Sequence, residues 1–127
     1  MRQVKPERTG WRDEALSQRH RTWGRNCPAV DIDFLMVEYD CGKASALVEY
    51  KHERAAPQYA SHPSYRTLVD LGDRARLLVF ACRYSDDFTS WRVTPLNDLA
   101  KSFCPERRDM TEAQWVALLY KTRGRGD

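Results

Sequence analysis

The sequence predicts a mixed α/β fold, and three observations predict it. Residues 30–39 (VDIDFLMVEY) and 44–51 (ASALVEYK) are rich in β-branched and aromatic side chains, and the turn-forming Asp40-Cys41-Gly42-Lys43 links them as an antiparallel hairpin. Residues 75–84 (ARLLVFACRY) are apolar on both faces, as a strand covered from both sides must be. Segments with helical caps and helical periodicity stand before, between and after these strands. The order helix, two strands, helix, two strands, helices suits a central mixed sheet flanked by helices rather than a doubly wound repeat.

Taken in order, residues 12–21 open with Asp13 and Glu14, which complement the positive end of a helix, and Trp23-Gly24 closes it. After the hairpin, residues 53–60 form a loop. Ser61 is placed to cap a second helix, with Pro63 in its first turn, running to Leu71; Gly72 suits the left-handed position that ends it. The apolar strand follows, and residues 88–94 are its hairpin neighbour across Ser85-Asp86-Asp87. Residues 96–103 make a short helix stopped before Pro105. Thr111 and Gln114 form a capping box for a last helix, residues 112–122, in which Trp115, Leu118 and Leu119 face one way.

The 127 residues are one domain's worth of chain: residues 11–122 form it, with 1–10 as an N-terminal tail and 123–127 (RGRGD) as a basic C-terminal tail. With 42% hydrophobic and 31% charged residues the chain is expected to fold, and the apolar candidate at residues 32–37, which itself contains Asp33, is far too short for a membrane span. No apolar stretch follows Arg2, Lys5 and Arg8, so a cytoplasmic address is expected. Cys27, Cys41, Cys82 and Cys104 lack zinc-binding spacing and read as reduced thiols, mostly in the core. At least three of Trp11, Trp23, Trp91 and Trp115 are expected in the core as well.

The net charge of +3 is unevenly spread. Residues 1–26 hold seven Lys/Arg and three acids, residues 27–53 two and six, and the remainder twelve and nine, so an acidic island interrupts a basic chain. Sixteen of the 21 cations are Arg, whose planar fork suits phosphate.

Within the island, Asp31 and Asp33 alternate on the first strand and Glu49 and Lys51 on the second, so each pair shares a face. The hairpin loop decides whether the pairs meet. A two-residue loop, Cys41-Gly42, sets Asp33 opposite Tyr50, on the wrong face for Glu49. A three-residue loop, Asp40-Cys41-Gly42, wants Gly at its last position; it pairs Tyr39 with Lys43 and sets Asp33 opposite Glu49 and Asp31 opposite Lys51. Facing carboxylates repel unless a cation sits between them, and hard oxygen ligands suit Mg²⁺ or Mn²⁺. An ion so held can polarise a phosphodiester.

The run Asp33 … Glu49-Tyr50-Lys51, on a hairpin between two helices with Pro28 shortly before it, resembles the PD-(D/E)xK restriction-endonuclease-like nucleases over residues 11–94. The acid-x-Lys tripeptide alone is expected about once by composition, so the weight of the resemblance lies in its position on the hairpin. The resemblance implies a restriction-endonuclease-like core of αβββαβ type and Asp33, Glu49 and Lys51 as the catalytic residues. It implies Mg²⁺ or Mn²⁺ held by Asp33, Glu49 and the backbone carbonyl of Tyr50, with Lys51 positioning the attacking water. Glu14 matches the first-helix glutamate that completes the site in several members, and a homodimer is a common arrangement. Two features depart from the pattern: Pro28 is not adjacent to an aspartate, and Asp31 competes with Asp33 as ligand.

Arg19, Arg21 and Arg25, near the end of the first helix, and Arg66, near the start of the second, are candidates for phosphate contacts, and His52 follows the motif as a phosphate contact or proton carrier. The expected function is a metal-dependent endonuclease, a hydrolase of phosphodiesters, with DNA favoured over RNA. The alternative is a catalytically silent nuclease-like module that binds nucleic acid or a protein partner. Binding that survives without any divalent ion, with no cleavage, would mark the alternative.

Overall fold

The computed structural model describes residues 14–24, 32–56, 59 and 61–123. They belong to two compact units, one through Asp31 and one from Ile32. In the first, α1 (Glu14–Thr22) carries Glu14 in its opening turn and Arg19, His20 and Arg21 in its last, which complements the helix dipole at both ends. The Thr22 hydroxyl donates to the Arg19 carbonyl at 2.7 Å, and Gly24 follows at φ +88°.

The second unit is built on a five-stranded sheet with β1 (Phe34–Glu38), β2 (Lys43–His52), β3 (Leu78–Tyr84), β4 (Trp91–Pro95) and β5 (Arg108–Met110) side by side in that order. β2 and β3 run parallel and every other neighbouring pair antiparallel. A parallel pair cannot be joined by a tight turn, and α2 (Pro63–Ala75) makes the crossover. The central place of β3 accounts for its apolar sequence. Leu78, Phe80 and Cys82 pack with Ala100 of α3 (Asp98–Lys101) and with Trp115 and Leu118 of α4 (Glu112–Lys121). Val79 packs from the opposite face with Leu47 of β2 and Leu68 of α2.

The caps account for where the helices begin. In α4 the Thr111 hydroxyl accepts from the Gln114 amide at 3.2 Å and the Gln114 side chain accepts from the Thr111 amide at 2.9 Å, the reciprocal capping box that the sequence predicts. In α2 the cap is His62, not Ser61: Pro63 is the first helical residue, so the residue before it takes the extended conformation, and its Nδ1 accepts from the Ser64 amide at 3.2 Å. Gly72 does not end α2. It lies buried inside a helix that runs on to Ala75, and Arg76 takes the left-handed conformation instead, at φ +61°.

The strands also depart from expectation in places. β1 is half the length predicted, and Asp33 stands one residue before it. The hairpin loop has four residues, 39–42, not three: a 3₁₀ turn over Tyr39–Cys41, then Gly42 at φ +63°, with Glu38 paired to Lys43. Ser45 is then an extra residue on β2, bulged between Ala44, opposite Val37, and Ala46, opposite Met36; its hydroxyl donates to the Met36 carbonyl at 3.2 Å. β4 starts only at Trp91, because Phe88 lies in the preceding turn at φ +60°, and β5 was not expected.

Of the tryptophans described, Trp115 is buried, Trp91 is partly buried against the same core cluster and Trp23 is 52% exposed; Trp11 lies outside the described residues. Arg123, the first residue of the expected tail, donates to the buried carboxylate of Glu38 at 2.5 Å. No helix among the described residues is long and apolar enough to cross a membrane.

Candidate active site

The register of the β1–β2 hairpin decides which acids meet. Phe34, Leu35 and Met36 pair with Val48, Leu47 and Ala46, and one further step of that register sets Asp33 opposite Glu49. Asp33 has no ladder partner. Its carboxylate accepts a hydrogen bond from the Tyr50 amide at 3.1 Å, which ties it to the edge of β2. The expected pairing of Asp33 with Glu49 is thus reached through a longer loop and a compensating bulge.

Only 14% of the Glu49 side chain is exposed. Burial pushes its carboxyl above the usual carboxylate range and the negative charge of Asp33 pushes it further, while the Lys51 ammonium, 3.7 Å from Glu49 Oε2, acts the other way. The Asp33 and Glu49 carboxyls are near enough to share a hydrogen bond. When both are ionised they repel, and a proton or a cation between them relieves this.

The amide of Tyr50 points to Asp33, and in an extended strand the carbonyl of the same residue projects to the same edge. Asp33 and Glu49 thus interact directly, and the Tyr50 carbonyl lies on the strand edge that Asp33 occupies, which makes three hard oxygens available as ligands. That donor set fits Mg²⁺ or Mn²⁺, ions that take few protein ligands and keep several waters.

Glu14, Arg19 and Arg21 are on α1, in the first unit, while Asp31 and Arg25 lie outside the described residues. Arg66 is exposed on α2, whose buried residues are Tyr65, Leu68 and Gly72. His52 points to the opposite face of the sheet from Glu49 and Lys51, because side chains alternate along β2. Its Nε2 is 2.5 Å from Asp86 Oδ1, its Nδ1 accepts from the Arg54 amide at 3.1 Å, and its ring meets Tyr84 edge-on. His52, Glu53 and Asp86 offer three donor atoms within 4.8 Å of one another. This group is closed by its own bonds: Asp86 also pairs with Arg54, and Glu53 accepts from the Asp86 amide at 3.1 Å.

Sequence reasoning missed what surrounds the acid pair. A cleft of about 660 Å³ opens beside it, and Lys51, Tyr65 and Arg83 are among its walls. Tyr65 is 5% exposed; burial raises the proton affinity of its hydroxyl, Glu49 and Asp33 raise it further, and Arg83 opposes them. Arg83 donates to the carbonyls of Ala55 at 2.9 Å, Ala56 at 2.8 Å and His52 at 3.3 Å, so it pins the turn that follows β2. Parity along β3 could have put Arg83 on one face with Ala81, but which strand lies beside it depends on the parallel crossover, which no local pattern encodes.

In comparisons with protein-family models, curated proteins and solved structures, nothing matches the chain.

Proposed function

We propose that this chain is a divalent-metal-dependent nuclease, cleaving phosphodiesters of DNA in preference to RNA, on a core of the PD-(D/E)xK type. One observation carries the reading: two carboxylates, Asp33 just before β1 and the mostly buried Glu49 on β2, stand together with the Lys51 ammonium beside Glu49. An acid pair kept at the cost of mutual repulsion is an arrangement that a merely solvated hairpin does not need. The succession of acid-bearing hairpin, crossover helix and strand parallel to the second hairpin strand supports the core assignment.

In this reading Asp33, Glu49 and the Tyr50 carbonyl hold the ion. When bound, Mg²⁺ or Mn²⁺ supplies positive charge that acidifies water and stabilises the charge gathering on the phosphate. Lys51, partly neutralised by Glu49, directs its remaining donors at the attacking water or a phosphate oxygen. The burial of Glu49 favours its pairing with a cation over solvation.

The test incubates purified protein with single-stranded, duplex and branched DNA and with RNA, in Mg²⁺, Mn²⁺ or EDTA. Cleavage is expected in either metal and not in EDTA. Asp33→Ala and Glu49→Ala should abolish it, and Lys51→Ala should slow it about 10²-fold or more, the scale of losing one electrostatic stabiliser. If the wild type cuts no substrate under any metal, or if Glu49→Ala cuts as well as the wild type, a silent binding module takes the place of the enzyme.

A further inference from the structure

The strand registers arrange the side chains on the Glu49 face of the sheet in two rows. With the β1–β2 and β4–β5 registers each continued by one residue, the first row runs Asp33, Glu49, Ala81, Thr94, Arg107, and the second Lys51, Arg83, Arg92, Asp109. Ala81 and Thr94 are small, so the middle of the first row is a floor. Above that floor lies the 660 Å³ cleft, with Lys51 and Tyr65 on the acid side and Arg92 and Arg107 on the far side. Strand spacing separates Glu49 from Arg107 by roughly 14 Å.

Charge along the second row is unbalanced. Lys51, Arg83 and Arg92 are direct neighbours across three strands, an arrangement that is destabilising for like charges. The Arg83 guanidinium is held by carbonyl oxygens, which carry no net charge. Asp109 bonds Arg92 at 2.8 Å and feels Arg107 as well, so one exposed carboxylate answers two guanidinium groups. Tyr59, 80% exposed, adds an aromatic ring to the cleft's lining.

We propose that the cleft is the track of a single nucleic-acid strand, which runs from the acid pair across β3 and β4 so that phosphates flanking the scissile one reach Arg92 and Arg107 and a base stacks on Tyr59. The orientation rests on the nuclease reading above. A volume of this size is on the scale of a small-ligand pocket and takes one or two nucleotides, not the width of a duplex. A cationic groove with an aromatic at its edge is the chemistry that single strands use, backbone along the charges and bases on the rings. Asp109 competes with the strand for Arg92 and sets how tightly it is held.

The test measures fluorescence anisotropy of a labelled oligothymidylate of about ten nucleotides, in EDTA at low salt, beside a uridylate of equal length and a duplex. The thymidylate should bind more tightly than the duplex, and the uridylate, which differs in both the 2′-hydroxyl and the base methyl, should bind through the same arginines, because the phosphates carry the contact. The double variant Arg92→Ala/Arg107→Ala should lose about tenfold or more in affinity and lower the slope of log K against log salt by about 1.4, two phosphates' worth for a single strand. Asp109→Asn should tighten binding, an outcome that misfolding cannot imitate. Equal affinity for duplex and single strand, or an Arg92→Ala/Arg107→Ala variant that binds as wild type, overturns the track. Arginine-dependent binding by a protein that never cuts in Mn²⁺ sinks the nuclease reading alone; cleavage that ignores both arginines sinks the track alone.

Discussion

The Asp33 carboxylate accepts a hydrogen bond from the Tyr50 amide at 3.1 Å, one residue before β1 begins to pair. This bond satisfies a backbone donor where the ladder runs out and holds the acid beside Glu49. Asp33→Asn keeps an acceptor oxygen for that amide while removing one of the two repelling charges, and Glu49→Gln removes the other together with its desolvation cost. Thermal melts in EDTA at pH 7 should therefore show Glu49→Gln more stable than wild type by about 0.5–2 kcal/mol, with Asp33→Asn no less stable. Mn²⁺ should raise the wild-type Tm, by the equivalent of about 2.7 kcal/mol at a hundred times its Kd, and leave both variants where they were. Equal responses to Mn²⁺ in all three proteins would remove Asp33 and Glu49 from the metal.

Strand alternation made the face shared by Glu49 and Lys51 legible, but Gly42 alone does not set the register that brings Asp33 to Glu49. The loop is one residue longer than expected, yet Asp33 still meets Glu49, since the bulge at Ser45 returns the register by one. No feature of Ser45 among its neighbours announces a bulge. β5 escaped because three residues, Arg-Asp-Met, are too few to carry a strand pattern, and it forms by pairing with a β4 already in place. The rows of side chains across β2, β3, β4 and β5 depend on the parallel register set by α2, a tertiary result that leaves no local periodicity.

Gly72 shows how a glycine can be read for the wrong property. Its backbone is helical, and what matters is the missing side chain: a Cβ there would stand 2.2 Å from Val79 Cγ2 and 3.1 Å from the Leu77 carbonyl oxygen. Val79 is fully buried and stiff at χ1, so it cannot swing aside. Gly72→Ala gains up to about 1 kcal/mol of helix propensity but forces α2 away from β3, and a net loss of about 1–3 kcal/mol is expected in urea unfolding. A more stable Gly72→Ala would mean that α2 does not pack this closely.

The thiols should separate by burial. Cys41 is exposed, whereas Cys82 is 1% exposed and its thiol is pushed up to about 12 by desolvation. At pH 8 only about 10⁻⁴ of Cys82 is thiolate, the reactive form. Iodoacetamide followed by peptide mapping should label Cys41 under native conditions and Cys82 only after unfolding. Native labelling of Cys82 at the Cys41 rate would contradict the central place of β3.

Asn97 joins more elements than any motif in the sequence suggests. Its side chain is 4% exposed; the Oδ1 accepts from the amides of Val79 at 3.2 Å and Ala100 at 3.0 Å, and the Nδ2 donates to the Leu77 carbonyl at 2.9 Å and to Asp73 at 3.1 Å. One amide thus caps α3, ends the approach to β3 and reaches back to α2. Asn97→Ala strips partners from buried backbone groups on both sides, and at roughly 1–3 kcal/mol for each group left unsatisfied a loss of about 3–5 kcal/mol is expected by denaturant unfolding. Asn97→Asp retains both accepting bonds and so preserves the α3 cap, but it replaces the donor with an oxygen facing the Leu77 carbonyl and the Asp73 carboxylate. Its loss at pH 7 should be comparable, and it should shrink as acidification protonates the new carboxyl and restores a donor. The Asn97→Ala defect should not recover in that way, so the difference between the two variants across pH isolates the donor half of the amide. If Asn97→Asp is as stable as the wild type at every pH while Asn97→Ala is not, the Nδ2 bonds contribute nothing and the cap alone accounts for Asn97.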